Sequence, residues 1–267
     1  MALIELRNVC KRFGPLVVLD GINLAIEAGH CIVIIGASGS GKSVMLKHIV
    51  RLLQPDKGEV YFNGQRIDNL PERKLDDIRC DFGFLFQMGA LFDSMTVAEN
   101  IAFPLVEHTK KNPDEIAAVV KRCLSLIGLP DAGPKMPAQL SGGQRKRVAL
   151  ARAIALEPKV ILYDEPTTGL DPIRSDVINE LIIRLQKELH VTSIVVTHDM
   201  HSAFKVADRI VMLFEGKFIF DGTPDEIRQS KDPRVANFVE GKATDLELAS
   251  LTPSGKRDLP SEKSQPI

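Results

Sequence analysis

The stretch CIVIIGASGSGKSVMLKHIV, residues 31–50, contains the pattern that decides the fold. An apolar run comes first and predicts a buried strand, whereas apolar residues at helical spacing follow the glycine-rich segment. The segment GASGSGKS, residues 36–43, matches the pattern GxxxxGK(S/T), in which glycines let backbone N–H groups face phosphate oxygens. Because a strand precedes it and a helix follows it, as this motif requires, we expect a phosphate-binding loop in an α/β fold.

The last two residues of this loop have predicted roles of their own. Lys42 supplies a mobile cation for the β- and γ-phosphates of a nucleotide, and the Ser43 hydroxyl is placed to hold Mg²⁺. The alternative is a glycine- and serine-rich turn with a chance lysine, which the flanking strand and helix argue against.

A second apolar strand, in VILYDEP at residues 160–166, ends in two carboxylates. Open α/β sheets bind ligands beyond the carboxyl ends of their strands. Asp164 is therefore predicted to hold Mg²⁺, and Glu165 is left to orient and deprotonate a water. Taken alone, two acids after an apolar strand are more typical of an ordinary strand end, and the phosphate loop upstream favours the functional interpretation.

Two further polar residues follow predicted strands. His198 comes directly after SIVVT and is placed to hydrogen-bond a γ-phosphate and hold the attacking water, although a solvent-facing strand end is the alternative. Gln87 follows residues 82–86, and its neutral amide is suited to contact Mg²⁺ or water without adding charge. In isolation it would be an exposed loop glutamine.

Predicted strands and helices alternate along the chain, which indicates the α/β class. Apolar patterns predict strands at 3–9, 22–26, 31–35, 160–163 and 194–196, a hairpin at 209–221, and helices that begin after Asn112, Asp171 and Thr223. Residues 88–155 are expected to be mostly helical and to form a subdomain. We expect one domain over residues 1–240 and a polar tail, disordered or partner-binding, at 241–267.

Composition excludes several classes of protein. The net charge of −1 and the absence of tryptophan argue against a nucleic-acid-binding protein, so no nucleic-acid partner is expected. The 4 cysteines form no CxxC pair, which is typical of a reducing compartment. We find no signal-peptide pattern and no apolar run near the length of about 18 residues that spans a bilayer. A membrane partner would therefore be a separate chain.

A second glycine-containing segment, LSGGQRKRVALARA at residues 140–153, precedes another predicted helix. It has the look of a phosphate cradle, yet one nucleotide has no use for two cradles in the same chain. Arg145, Lys146 and Arg147 are expected to be surface charges on the first turn of this helix.

Taken together, GASGSGKS, the glutamine of LFQ, LSGGQ, VILYDEP, GLDP and the histidine of THD occur in the order found in one family. From about Ile4 to about Val239 the chain resembles the ATP-binding subunits of ABC transporters, and LSGGQ is the most specific of these motifs. The resemblance implies a P-loop ATPase core with a mainly parallel sheet, an antiparallel β-subdomain and an inserted helical subdomain. It also implies ATP and Mg²⁺ as ligands, and a head-to-tail homodimer in which each LSGGQ loop covers the partner's nucleotide.

The resemblance also assigns roles to individual residues. Glu165 is similar to the catalytic base, His198 to the switch histidine and Asp171 to the D-loop aspartate. Phe13 looks like the aromatic that stacks on adenine, with a core phenylalanine as the alternative. The residues implied to bind ATP are Phe13, Gly36, Ala37, Ser38, Gly39, Ser40, Gly41, Lys42, Ser43, Val44 and Gln87. Those implied to act on the partner's nucleotide are Ser141, Gly142, Gly143 and Gln144, and those implied to hold Mg²⁺ are Ser43, Gln87 and Asp164.

A narrower resemblance rests on three segments, residues 82–109, 136–144 and 232–241. They are similar to the ATPases of the bacterial Mla-type, Mce-associated phospholipid transporters, which maintain outer-membrane lipid asymmetry. This resemblance implies a peripheral protein on the cytoplasmic face of the inner membrane. It further implies an integral-membrane permease, a periplasmic Mce-type lipid-binding protein and, in some systems, a small cytosolic accessory subunit.

Other functions stay open at this point. An ATPase of an amino-acid or metal-ion importer is one alternative, and a soluble ABC ATPase that acts on ribosomes or DNA is another. The apolar residues 88–92 and 103–105 are interpreted either as a docking surface for the permease or as the core of the helical subdomain.

Overall fold

Two β-sheets organise residues 2–242, which are the residues that this computed structural model describes. All but the first two residues of the predicted tail at 241–267 lie outside the described residues. The strands are β1 Ile4–Phe13, β2 Leu16–Ile26, β3 Cys31–Ile35, β4 Lys57–Phe62, β5 Gln65–Arg66, β6 Phe82–Leu85, β7 Val160–Asp164, β8 Thr192–Thr197, β9 Arg209–Phe214 and β10 Lys217–Gly222. The α-helices are α1 Lys42–Ile49, α2 Glu72–Arg79, α3 Val97–His108, α4 Pro113–Leu126, α5 Gly142–Ile154, α6 Pro172–Leu189, α7 Met200–Val206, α8 Pro224–Arg228 and α9 Pro233–Glu240.

The larger sheet has the strand order β10-β9-β3-β8-β7-β6. Its strands pair in parallel except for β10, which forms an antiparallel hairpin with β9 as predicted. Every residue of β3, β7 and β8 is buried, which explains why each strand contains an unbroken apolar run rather than alternating apolar and polar residues. Because β3, β8 and β7 are adjacent and parallel, the loops that follow them meet at one edge of the sheet.

Different parts of the chain cover the two faces of this sheet. Alternate residues of a strand point to opposite faces, so Val33 and Ile34 enter separate hydrophobic cores. The core around Val33 includes buried residues of α3–α7, whereas the core around Ile34 includes those of α1, α2 and the N-terminal strands. The sheet is thereby covered on both faces, as parallel sheets are.

The smaller sheet is antiparallel and has the order β2-β1-β4-β5. The sequence predicts β1 and β2 too short, since the apolar alternation breaks where the strand pairing is irregular. Asn8 has a φ of 50°, and the register of β1 against β2 shifts between Leu6 and Val9. Beyond this bulge, β1 continues to Phe13 and carries that side chain to the edge of the larger sheet.

Helices α3, α4 and α5 occupy most of residues 97–154, with a short 3₁₀-helix at Pro137–Gln139. The predicted helix starts at Asn112, Asp171 and Thr223 are confirmed, because each side chain accepts a hydrogen bond from a backbone N–H of the first turn. Buried Asn100 closes the loop before α3, as its Nδ2 donates to Phe92 O and its Oδ1 accepts from Phe92 N. None of the helices within residues 2–242 combines the length and apolarity that crossing a bilayer requires.

Candidate active site

A cleft of about 350 Å³ lies where the loops after β3, β7 and β8 meet. It brings together most of the residues that the sequence predicts to bind ATP or to act on it. The lining residues are Phe13, Val18, Ser38, Gly39, Gly41, Lys42, Ser43, Val44, Gln87, Glu165 and His198. Gly36, Ala37 and Ser40 belong to the same loop, so the predicted phosphate loop forms one wall of the cleft.

The loop at residues 36–43 offers backbone N–H groups and a hydroxyl that are suited to bind an anion. Gly41 has a φ of 103°, and a Cβ there would lie 2.9 Å from Val18 Cγ1, so this position favours glycine. Helix α1 begins directly afterwards, and no side chain caps its N-terminus, which leaves backbone N–H groups for an anion. Ser40 Oγ is buried and has no hydrogen-bond partner among the described residues, which fits a group that awaits a polar ligand.

Lys42 lies across this loop. Its Nζ donates to Gly36 O at 2.7 Å and to Ala37 O at 3.0 Å, and lies 3.7 Å from Glu165 Oε1. Only 5% of the residue is exposed, and burial lowers the pKa of the ammonium, although the charge of Glu165 opposes this shift. A buried cation beside free N–H donors is suited to bind polyphosphate.

Ser43 and Asp164 form the second polar contact of the cleft. Ser43 Oγ donates to Asp164 Oδ1 at 2.6 Å. Burial raises the pKa of Asp164, and the negative charge of Glu165 adds to this effect. A hydroxyl and a carboxylate, with the Gln87 amide in the same cleft, are oxygen ligands of the type that Mg²⁺ takes beside phosphate oxygens. Residues 2–242 contain no metal-binding group of three or more His, Cys, Asp or Glu residues.

Glu165 and His198 face each other at the mouth of the cleft. Oε2 of Glu165 lies 2.9 Å from His198 Nδ1 and accepts from Thr168 Oγ1 at 3.1 Å and from Thr197 Oγ1 at 3.4 Å. The backbone of Glu165 has a φ of 50°, an uncommon conformation for a residue with a side chain and one found at functional sites. This arrangement orients a carboxylate toward the cleft beside Lys42, where a base for an attacking water is required.

Phe13 is 46% exposed and lines the cleft. The alternative interpretation as a core phenylalanine is therefore wrong. Lys11 Nζ lies 5.5 Å from the centre of the Phe13 ring, and the exposed part of Phe13 is available for stacking.

The LSGGQ residues lie in a different part of the structure. Ser141 caps α5: its Oγ accepts from Gln144 N at 3.3 Å, and Gln144 Oε1 accepts from Ser141 N at 2.9 Å. The residues around them form a separate recess, lined by Ser141, Gly143, Gln144, Arg147, Arg174, Val177 and Ile178. Neither these residues nor Gly142 line the cleft that contains Lys42.

Asp171, the predicted D-loop aspartate, likewise lies outside this cleft. Its Oδ1 accepts from Arg174 N at 2.9 Å and thereby caps α6, and its Oδ2 lies 3.2 Å from Arg174 Nε. The single chain thus brings the catalytic candidates together and leaves LSGGQ and Asp171 apart from them.

Two expectations from the sequence need correction. Lys146 is not a surface charge, because only 8% of the residue is exposed and its ammonium donates to backbone carbonyls. The apolar residues 88–92 and 103–105 are neither wholly a surface nor wholly core, since Leu105 is fully buried, Met88 is 90% exposed, and the Phe92 ring lies 4.8 Å from that of Phe103. The exposed apolar side chains of this region are Met88, Phe92 and Val106.

The structure also adds three residues to which the sequence gave no role. Thr168 and Thr197 hold the Glu165 carboxylate, and Val18 lines the cleft beside Phe13. Thr168 follows Glu165 by three residues, so the spacing in the sequence could have indicated its contact with the carboxylate. The contact of Thr197 with Glu165 and the position of Val18 in the cleft depend on contacts between segments that are separate in the chain, so no single motif contains them.

The motifs and the fold have counterparts among known proteins. The sequence pattern of the ABC transporter family matches residues 19–168. The chain belongs to the ABC transporter family. The ATP-binding protein MlaF of the intermembrane phospholipid transport system from Haemophilus influenzae is 43% identical, over 90% of this chain and 91% of that protein. MlaF from Escherichia coli K12 is 39% identical, over 90% of each chain.

A solved structure shares both the fold and the sequence pattern of this ABC protein. The ATP-binding cassette MJ0796, described as a dimer in a post-hydrolysis state bound to ADP and Pi, has a TM-score of 0.77 and 36% identity. The similarity covers 83% of this chain and 98% of that chain. The predicted family, the α/β fold class and ATP hydrolysis by an ABC transporter subunit are thereby confirmed.

Proposed function

We propose that this ABC protein is the ATPase subunit of a phospholipid transporter that works between the inner and outer membranes of a bacterium. The observation that carries the catalytic part is the position of Glu165, between Lys42 and His198 at the mouth of the cleft. The similarity to two MlaF proteins over nine-tenths of the chain supports phospholipid as the transported substrate.

Binding of ATP begins with its phosphates in the loop at residues 36–43. Free backbone N–H groups and the N-terminus of α1 face the phosphates, and Lys42 exchanges its carbonyl acceptors for phosphate oxygens. Ser43, Asp164 and Gln87 would hold Mg²⁺, which neutralises phosphate charge when bound. Phe13 stacks on the adenine at the open side of the cleft.

Hydrolysis then depends on Glu165 and His198. The Glu165 carboxylate orients a water and accepts its proton as the water oxygen attacks the γ-phosphorus. The bond between the γ-phosphorus and the oxygen that bridges it to the β-phosphorus breaks in the same step, and its electron pair leaves with ADP, so the products are ADP and phosphate. Thr168 and Thr197 fix the carboxylate, so that its second oxygen faces the cleft. His198 is half-exposed and donates a hydrogen bond to the γ-phosphate, which stabilises the charge that builds up there.

The active unit is proposed to be a head-to-tail homodimer. The LSGGQ residues lie outside the cleft of their own chain. They are at the N-terminus of α5, whose partial positive charge favours an anionic ligand such as the phosphates of the partner's nucleotide. Ser141, Gly142, Gly143 and Gln144 would therefore act on the partner's nucleotide, and Asp171 would lie between the two sites. The dimeric MJ0796 cassette is consistent with such an arrangement.

The transporter partners follow from the same proposal. Met88, Phe92 and Val106 are exposed apolar side chains, and the first two follow Gln87 closely in the chain. The Phe92 ring lies 4.8 Å from that of Phe103 on α3, and Val106 lies about one helical turn beyond Phe103, so this exposed apolar surface is suited to receive an integral-membrane permease. The protein would lie peripherally on the cytoplasmic face of the inner membrane. A periplasmic Mce-type lipid-binding protein and a small cytosolic accessory subunit complete the proposed assembly. The domain is proposed to span residues 1–240, with a helical subdomain at about 88–155.

Purification of the full chain from detergent-solubilised cells tests this function. We expect an integral-membrane permease to copurify, together with phospholipid, and we expect added phospholipid to change the rate of ATP hydrolysis. The Glu165→Gln variant serves as the control, since it should retain the partners and lose hydrolysis. Recovery of ribosomes or DNA without a membrane protein would contradict transport, and a response to amino acids or metal ions but not to phospholipid would contradict the substrate.

A further inference from the structure

Lys146 lies in the second turn of α5, five residues after Ser141, and is buried beneath the loop that carries Glu165. Its Nζ donates to Pro166 O at 2.8 Å, to Thr168 O at 2.8 Å and to Glu165 O at 3.2 Å. Each acceptor is a backbone carbonyl of the turn at residues 165–168. One side chain therefore joins α5 to this turn.

Burial of this ammonium carries a cost that a surface charge does not have. Only 8% of Lys146 is exposed, and burial lowers its pKa to about 8, although the charge of Glu165 opposes the shift. A buried cation without acceptors is strongly destabilising, and here the acceptors are the carbonyls of the turn. Removal of the ammonium would take this donor from Pro166 O and Thr168 O, whereas Glu165 O would keep the hydrogen bond from Thr168 N, and the turn would lose its link to α5.

The supported turn fixes the position of the base. Thr168 contributes its carbonyl to Lys146 and its hydroxyl to the Glu165 carboxylate. The same turn continues through Thr167, whose carbonyl accepts from Leu170 N, to Asp171 at the start of α6. A shift of α5 would therefore be transmitted through Lys146 to both acidic residues.

The far end of α5 is held as well. Arg152 Nη2 donates to Gly89 O at 3.1 Å, and its guanidinium lies 5.6 Å from the centre of the Phe92 ring. Helix α5 thus contacts the segment after Gln87 through Arg152 and the segment after Glu165 through Lys146. A rigid helix fixed at both ends is suited to transmit a displacement rather than absorb it.

We propose that Lys146 is a positioning residue that couples the two ATP sites of the dimer. This inference rests on the proposed head-to-tail arrangement, in which Ser141 acts on the partner's nucleotide and Glu165 acts on its own. When the N-terminus of α5 moves toward the partner's ATP, Lys146 moves the turn at residues 165–168 with it. Glu165 is thereby aligned in the cleft of its own chain. Contact of the LSGGQ loop with ATP at one site thereby activates hydrolysis at the other site.

The test uses the full chain with Lys146→Met, which keeps the length of the side chain and removes all donors. Lys146→Gln retains amide donors without charge, and Arg145→Met is the matched control, because Arg145 is the exposed neighbour on the same helix turn. Three quantities are measured for each variant: binding of a fluorescent ATP analogue to the monomer, the ATP concentration that half-saturates dimer formation in the Glu165→Gln background, and the Hill coefficient of hydrolysis.

We expect Lys146→Met to bind the analogue like the parent protein, to require about tenfold more ATP for dimer formation, and to hydrolyse ATP without cooperativity. Lys146→Gln should recover part of both effects, and Arg145→Met should match the parent. If Lys146→Met dimerises and hydrolyses like Arg145→Met, the coupling role is excluded. Parallel loss of analogue binding, dimer formation and thermal stability in both Lys146 variants would assign Lys146 to folding alone and would also overturn the proposal.

Glu165→Gln with native Lys146 shows separately whether the proposed function fails. If Glu165→Gln with native Lys146 forms no dimer at any ATP concentration, the head-to-tail arrangement is wrong, and the coupling proposal falls with it. If that dimer forms and the Lys146 variants also behave like the parent protein, the proposed function stands and the coupling proposal alone is rejected.

Discussion

Glu165 and His198 approach each other to 2.9 Å, between Oε2 and Nδ1, across the mouth of the nucleotide cleft. The other carboxylate oxygen, Oε1, lies 3.7 Å from Lys42 Nζ. Glu165, His198 and Lys42, which we propose as the base, the switch histidine and the phosphate-binding lysine, therefore form one contiguous group, although their positions in the chain are far apart. Pairing of β3 and β7 with β8 brings them together, because each residue follows the carboxyl end of its own strand.

The first prediction concerns Glu165→Gln, which removes the proton acceptor and preserves the size of the side chain. We expect ATP binding to persist and turnover to fall by about 100-fold or more, the typical contribution of a general base. Size-exclusion chromatography with light scattering should show ATP-dependent accumulation of dimer. Glu188→Gln, at an exposed residue that pairs with Arg184 on α6, is the control and should hydrolyse ATP normally. Undiminished hydrolysis by Glu165→Gln would remove Glu165 from this role.

The second prediction concerns Asp164, the proposed Mg²⁺ ligand, because burial of its carboxylate lowers the free energy of unfolding. Burial raises its pKa in the folded state, so folding is penalised above that pKa and the penalty disappears below the pKa of the unfolded chain. Asp164→Asn, which preserves the acceptor for Ser43 Oγ, should therefore raise the melting temperature at neutral pH by about 2 °C or more. The gain should shrink as the pH falls through the ordinary range of aspartate.

Thermal unfolding with and without MgATP completes this test. The native chain should be stabilised more by ATP with Mg²⁺ than by ATP alone, whereas Asp164→Asn should lose the difference. A variant that melts below the native protein at neutral pH, or that still responds fully to Mg²⁺, would contradict the assignment of Asp164 to the metal.

Much of this site could be predicted from the sequence, because its parts are short motifs whose neighbours in the chain are also their neighbours in space. The loop at residues 36–43 and the acids Asp164 and Glu165 are examples, since each follows a continuously apolar strand. Lys146 could not be predicted in the same way. Its acceptors are backbone carbonyls at residues 165–168, and a charged residue beside two arginines is more typical of a helix surface.

The fold shows the same division between local and distant information. Helix starts at Asn112, Asp171 and Thr223 were predictable because a cap and its first turn are adjacent in sequence. The full length of β1 was not, since its register against β2 shifts between Val9 and Lys11 and again between Lys11 and Arg12, which interrupts the alternation beyond the predicted end at Val9. Short β4 and β5 and the polar helix α2 were also missed, because their positions depend on packing against β1 and α1.

The third prediction concerns Phe13. Phe13→Ala should weaken ATP binding by about tenfold, the usual value of one stacking contact between a base and an aromatic ring. Phe13→Tyr should retain most of the affinity, because it keeps a ring of the same size. Leu52→Ala, at another exposed apolar residue, is the control. Binding of a fluorescent ATP analogue measures all three, and equal affinity of Phe13→Ala and Leu52→Ala would exclude stacking.

The fourth prediction concerns the exposed apolar surface beside Gln87. Val106 is 60% exposed on α3, so Val106→Glu should leave folding intact and abolish copurification with the membrane partner. Leu52→Glu changes an exposed apolar residue in the turn after α1 and should leave copurification unchanged. Both variants should melt within about 2 °C of the native protein, since surface changes have small effects on stability. Normal recovery of the partner with Val106→Glu would place the docking surface elsewhere.

The fifth prediction addresses sharing of the active site between two chains. Ser141→Arg blocks the LSGGQ contact, and Lys42→Ala removes the phosphate-binding cation, so each variant alone should be inactive. A mixed dimer contains one cleft with native Lys42 that faces a native Ser141, and a second cleft that lacks both. Mixing the two inactive chains should therefore restore hydrolysis, with a maximum near equal amounts.

Steady-state ATP hydrolysis across such a mixing series is the most direct measurement of the central claim. A cleft completed by the partner's LSGGQ loop predicts a peak at the equimolar mixture. With random pairing, half of the dimers are mixed and each has one native site, so the peak should reach about one quarter of the activity expected if every dimer had two native sites. A flat series, with no mixture more active than either chain alone, would contradict it, provided that the mixed dimer is detected by light scattering in the same samples.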